Sequence, residues 1–278
     1  MRNLITIAHL TLHEAVRRRV LTAALIVGTA FLALFGVGMH FMLRELNKSH
    51  DLTLIERRVM LNALTLAGLF AASRLIVITA VLLPVDTLSG EIGSGVIQTL
   101  AAKPVRRSEI VLGKWIGHWL VLLVYFVLIV GGVLAVARAL GHFTPPHIER
   151  GLPLLMLEAT VLLSVAIAGG TRLSTITNGM TAFGLYGFAF IGNWIEQIGT
   201  FADNVAARNV GTVSSLIMPS ESLWNLAAYQ MQPTIMRELT ATPFSPVAVP
   251  SVAIVWWSVG YIVVALWLGL RVFRRRAL

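Results

Sequence analysis

Six long apolar runs, separated by short polar connections, set the terms on which this chain can fold. They lie at about residues 20–43, 59–86, 111–139, 151–170, 176–199 and 250–270. Each holds about 20 residues or more, and a helix of that length, rising about 1.5 Å per residue, spans about 30 Å of hydrocarbon. Inside hydrocarbon every backbone N–H and C=O must be paired within the protein, which leaves only helices and closed barrels. A barrel strand would alternate apolar and polar residues over about ten positions, whereas these runs are continuous. Charge supports the same reading. Of 278 residues, 56% are hydrophobic and 13% charged, against about 25% charged in a soluble domain. The predicted fold is all-α: a polytopic membrane protein with six transmembrane helices, forming one domain over residues 1–278.

Six crossings put both termini on one side, and Lys and Arg decide which. The termini, the connection after the second run and the turn at Arg172 carry 13 of the 22 Lys and Arg residues. The acids on that side are Glu14, Asp86, Glu91 and Glu109, so it carries the whole formal net charge of +9. It is therefore expected to be cytoplasmic, with the chain in the cell (inner) membrane. A pI near 11 then reflects topology and contact with anionic lipid. No nucleic-acid partner is expected, because the basic residues flank spans instead of lining one groove.

Two flanking segments carry further pattern. Over residues 1–19, Leu4, Ile5, Ala8, Leu12 and Ala15 or Val16 recur at helical spacing. This predicts an interfacial helix with Arg17, Arg18 and Arg19 at the headgroups. The outer-side segment 200–249 is broken by Pro219, Pro233, Pro243 and Pro246, with Pro250 following. A short helix over 222–229 is expected there, either as a lid on the membrane surface or as part of a plain linker. Two charges fall inside spans, Arg74 and Glu158. Such ions are costly in hydrocarbon and face a bundle interior or a partner. A mutual salt bridge and a substrate path both remain open for them. Gly113–Gly117 and Gly184–Gly187 offer small faces for helix contacts.

Catalytic patterns fail on inspection. There are no cysteines, so thiol chemistry and Cys-held metals are excluded. His13-Glu14 begins a zinc-protease motif, but residue 17 is Arg where the second histidine is required. Gly93-Ser94-Gly95 lacks the spacing of a nucleophile elbow. Gly113-Lys114 is followed by Trp115 and has Ser at position 108, so it is no phosphate-binding loop. The chain is expected to be no enzyme and to hold no metal or nucleotide of its own.

The polar stretch between the second and third runs is too ordered for a plain loop. It reads Leu88-Ser-Gly-Glu-Ile-Gly-Ser-Gly-Val-Ile-Gln-Thr-Leu-Ala-Ala-Lys-Pro-Val-Arg-Arg-Ser-Glu-Ile-Val-Leu-Gly-Lys-Trp-Ile-Gly117. Gly90, Gly93 and Gly95 are expected to loosen the exit from the second span. Residues 96–102 fit two helical turns, with Val96, Ile97 and Leu100 as an apolar face. Pro104 stops that piece. Ser108 is a candidate cap for the next helix, with Glu109 favoured by its dipole, and that helix runs on into the third span.

From Ser89 to Lys114 this string is similar to the cytoplasmic segment of ABC-2 type transporter permeases, in particular the branch that includes the permease of nitrous-oxide-reductase maturation. Ser89, Gly90, Glu91, Gly95, Thr99, Leu100, Pro104, Arg106 or Arg107, Gly113 and Lys114 carry the likeness. Ile92 departs from it, since many members have Arg or Lys after the Glu. The resemblance implies a half-transporter and an exporter. Residues 87–110 would be the cytoplasmic coupling segment, with a coupling helix that enters a cleft of a separate ATPase. Its contacts would come from Gly90, Glu91, Gly95, Thr99, Leu100, Pro104, Arg106 and Arg107. Two copies of that ATPase would bind ATP and Mg. A second permease copy, identical or a paralogue, would complete a dimer in the lipid membrane. The rival reading is an ion-coupled secondary transporter built on Arg74 and Glu158, which needs buried ionisable groups near mid-membrane.

Overall fold

Why the apolar runs become helices is a matter of backbone pairing, and where each helix stops is a matter of caps. The computed structural model describes residues 2–48, 53–95, 106–234 and 248–275, and the described residues are helical with no strand. In chain order the helices are α1 (Arg2–Arg17), α2 (Arg19–Lys48), α3 (Leu54–Leu82), α4 (Thr87–Gly93), α5 (Arg107–Gly141), α6 (Ile148–Gly170), α7 (Thr175–Phe201), α8 (Val205–Ile217), α9 (Ser220–Gln230) and α10 (Ala253–Arg275). The protein is an all-α polytopic membrane protein. Among the described residues, five helical stretches are both long and apolar enough to cross a bilayer: α2, α3 with α4, α5, α6 and α10. The sixth predicted span, α7, has the length at 27 residues. It is more polar than the five, because Asn178, Asn193 and Glu196 interrupt its apolar residues.

Local chemistry explains the ends. Thr53 caps α3 by accepting the Glu56 N–H at 3.2 Å, while the Glu56 carboxylate takes the Thr53 N–H at 2.8 Å, a reciprocal capping box. Ser174 caps α7 by accepting the Thr177 N–H. The cap of α5 is Arg106, and Ser108 lies inside the first turn. Glu109 occupies the third helical position and accepts the Arg106 N–H at 3.1 Å. The expected cap is thus displaced by two residues, because Glu109 can close the box only from that offset.

α6 is the most enclosed of the spans, packed by α3, α7, α9 and α10, whereas α2 and α10 are mostly exposed along their apolar faces. The core gathers Leu66, Leu69, Ile76, Leu122, Ile129, Leu162 and Leu163. Small residues set the close approaches, as expected where lipid offers no hydrophobic drive between helices. A Cβ at Gly68, for example, would strike the Phe35 ring of α2.

The segment after α7 does not stay on the surface. Gly199 packs on Ala207, Gly211 on Glu196 and Gly192 on Ser214. These pairings run antiparallel, so α8 folds back along α7. The chain turns at Asp203, whose φ of 48° is left-handed. α9 then returns, with Glu221 level with Arg74 and Met231 near Asn62, whose Nδ2 donates to Met231 O at 3.0 Å. Residues 62 and 74 are twelve apart on α3, about 18 Å along a helix. The α8–α9 pair is therefore a re-entrant hairpin that reaches mid-bundle, and residues 220–228 are buried. The short helix over 222–229 exists, but it sits among the spans, neither a surface lid nor a linker. Residues 235–247 lie outside the described residues.

Candidate functional site

Two polar constellations stand out, one at the α4 elbow and one in mid-bundle. The elbow begins where α3 ends before Pro84. Gly90 and Gly93 do not loosen this exit; both lie within α4, and the break falls at residues 83–86. Gly90 packs directly on the Asp86 carboxylate, so a side chain there would displace it. Gly95 closes the piece with φ of 75°, a left-handed turn that glycine adopts without steric cost.

Side chains bind this elbow to three helices. Thr175 Oγ1, at the start of α7, donates to Asp86 Oδ1 at 2.7 Å and lies 2.9 Å from Ser89 Oγ. Asn178 Nδ2 of α7 donates to Val85 O and to Ala166 O of α6, at 3.2 and 2.8 Å. Thr87 Oγ1 meets His118 Nε2 of α5 at 3.1 Å. Glu91 forms an ion pair with Lys114 of α5, whose side chain is 4% exposed. Beyond the gap, Arg107 Nη1 donates to Phe273 O and Arg274 O at 3.3 and 3.0 Å. A cation is favoured there by the negative end of the α10 dipole. α1 completes the platform. It lies on α5 where a Cβ at Gly117 would come within 2.8 Å of Ala8 O, and one at Gly113 within 2.8 Å of Ile7.

The sequence-predicted contact residues therefore divide. Gly90 and Glu91 are built into the elbow, and Glu91 faces inward to Lys114 rather than outward. Gly95 ends the elbow, Arg106 is exposed, and Arg107 is spent on α10. Thr99, Leu100 and Pro104, with the coupling helix expected over 96–102, lie outside the described residues.

In mid-bundle Arg74 does approach Glu158, with Nη1 3.4 Å from Oε1. Its closer partner is Glu221 of the re-entrant hairpin, which takes both guanidinium nitrogens: Nη1 to Oε1, and Nη2 to Oε2 at 3.1 Å. Tyr186 of α7 also meets Nη1 through its hydroxyl. Phe70 covers the guanidinium at 4.4 Å from its ring centroid, and Trp224 stands at 5.8 Å. One cation thus joins α3, α6, α7 and α9 and answers two carboxylates. Among the described residues, Glu158 Oε2 and Arg74 Nε are buried without a partner. Glu221 and Tyr186 were missed in the sequence. The helix-start pattern Pro219-Ser-Glu-Ser222 is visible in the sequence, but nothing in it marks the acid as a partner for a charge on another helix.

No curated protein matches the chain. The family description "ABC-2 family transporter protein" matches residues 5–278, almost the whole chain. The chain therefore belongs to the ABC-2 family and is a membrane permease subunit of an ATP-binding-cassette transporter.

Proposed function

We propose that this permease works as half of an exporter, driven by a separate ATPase subunit that docks at the α4 elbow and residues 96–105. Two permease copies, identical or paralogous, would enclose the pathway, with two ATPase copies below holding ATP and Mg. The elbow and both termini would face the cytoplasm, with the chain in the inner membrane. The observation that carries this reading is the anchoring of that segment on both flanks. Asp86 and Ser89 tie it to α7, Glu91 to α5, and Arg107 to the end of α10. A push on residues 96–105 would reach several helices through these short side-chain contacts. Glu91 contributes by stiffening the elbow through Lys114, and Arg106, which is exposed, is the described side chain best placed to touch the ATPase.

The test is purification of the tagged chain from its own host in mild detergent. A stoichiometric ATPase subunit is expected, and deletion of residues 94–103 should release it while the permease remains monodisperse. A chain that purifies intact and alone overturns the reading. The second reading, ion-coupled transport, draws on one observation: the mid-bundle knot holds an acid more than it holds bases, with Glu158 Oε2 unpartnered. Under that reading the chain would purify without an ATPase, and Glu158→Gln would abolish cargo movement.

A further inference from the structure

At the end of the bundle opposite the elbow, the start of α3 and the end of α5 form a cavity of about 660 Å³. Arg58, Arg138 and His142 line it, beside Ile55, Val59 and Phe143. Arg58 and Arg138, 80 positions apart in sequence, both line this one space, and among the described residues neither has an ion-pair or hydrogen-bond partner. Elsewhere at this end Arg57 donates to Asn47 Oδ1 at 3.1 Å, and Arg208 lies 3.3 Å from Asp203. Three further acids at this end have partners of their own. Glu56 is held in the Thr53 capping box, Glu149 lies 3.3 Å from His147, and Glu45 lies 3.2 Å from Lys48. Like charges facing one cavity repel each other, and an anion lying between them turns that repulsion into attraction.

We propose that this cavity binds a phosphate group, held by the forks of Arg58 and Arg138 with His142 at its rim. A guanidinium presents paired N–H donors in a plane that matches two phosphate oxygens, which a point charge does not. His142 takes the left-handed φ of 49° that caps α5, its N–H turned to Ala137 O, and this conformation is unfavourable for a non-glycine residue. The surroundings favour a phosphate carried on an acyl chain. Leu54, Ile55 and Leu140 stand exposed beside the basic groups, and an anionic lipid headgroup would cover both, whereas free phosphate would use only the cations. This inference is independent of the exporter reading, and its test needs no ATPase.

The measurement is thermal unfolding of the purified chain in mixed micelles, titrated with phosphatidylglycerol, with phosphatidylcholine, or with inorganic phosphate at constant ionic strength. Phosphatidylglycerol is expected to raise Tm about 5 °C above phosphatidylcholine at saturation. The double variant R58Q/R138Q should lose most of that preference. R208Q, whose guanidinium already has a carboxylate, should keep it. Stabilisation by inorganic phosphate alone, lost in the same variant, keeps the phosphate site and assigns it to a soluble ester. If R58Q/R138Q does not accumulate, the single variants replace it. Equal response to all three additives, or an unchanged preference in the variants, overturns the proposal.

Discussion

Arg74 shows how one residue can commit four helices at once. Breaking a buried ion pair by removing one partner costs about 3–5 kcal/mol, because the remaining charge is left uncompensated. Arg74→Met would leave Glu158 and Glu221 facing each other, and the chain is expected to fail to accumulate as a monodisperse species on size-exclusion chromatography. Adding Glu158→Gln and Glu221→Gln to it removes the charge imbalance and should recover much of the yield. Recovery of yield without recovery of transport would mark the knot as part of the working cycle. At the elbow platform, partial burial pushes the Glu14 carboxyl up, but the Arg18 hydrogen bond and charge, with Lys114 beyond, outweigh it and hold it below the ordinary carboxylate range. A lowered carboxylate contributes stability above its unfolded pKa and loses it as pH falls through the folded one. Exchange protection of α1 should therefore hold from neutral pH into the ordinary carboxylate range and weaken only below it; Glu14→Gln should remove that acid dependence. Arg74 and Glu158 were conspicuous in the sequence because charges in an apolar run have few places to go. Glu221 was not, because its own neighbourhood is half polar and broken by Pro219. Nothing local says that such a segment turns back into the bundle.

At the scale of elements, period and length carried most of the information. The continuous apolar runs, the amphipathic start and the glycine face at 113–117 all reappear as helices or contacts. Gly184 and Gly187, which looked equivalent, have nothing near them, since glycine spacing says that a helix can be approached and not that it is. What failed were choices between neighbours: Arg106 over Ser108 as the cap, and a helical α4 where three glycines suggested slack. Asp86 explains the second, because its carboxylate fills the space that Gly90 leaves. Overpacking a close contact costs about 1–3 kcal/mol. Gly117→Leu is therefore expected to lift α1 from α5, seen as faster hydrogen exchange over residues 3–17, with the spans unchanged. Unaltered exchange there would mean that α1 is held by something other than this contact.

The whole molecule can be tested for topology cleanly, because the chain has no cysteine and any introduced thiol is the sole target. Ser94→Cys and Leu173→Cys should react with a membrane-impermeant maleimide from one side, and Thr144→Cys and Asp203→Cys from the other. The Asp203 position decides the status of α7. Labelling on the Leu173 side would overturn α7 as a crossing. The mid-bundle knot also has a consequence for biogenesis. Glu158, Tyr186 and Glu221 follow Arg74 by 84, 112 and 147 residues. At about 5–20 residues per second of synthesis, Arg74 waits roughly 7–30 s for its main counter-charge. α3 therefore enters the bilayer before its charge is answered, and must be sheltered by the insertion machinery until the hairpin arrives. A ribosome that stalls before residue 221 leaves a membrane-embedded arginine, a mark by which quality control can tell an unfinished copy from a finished one.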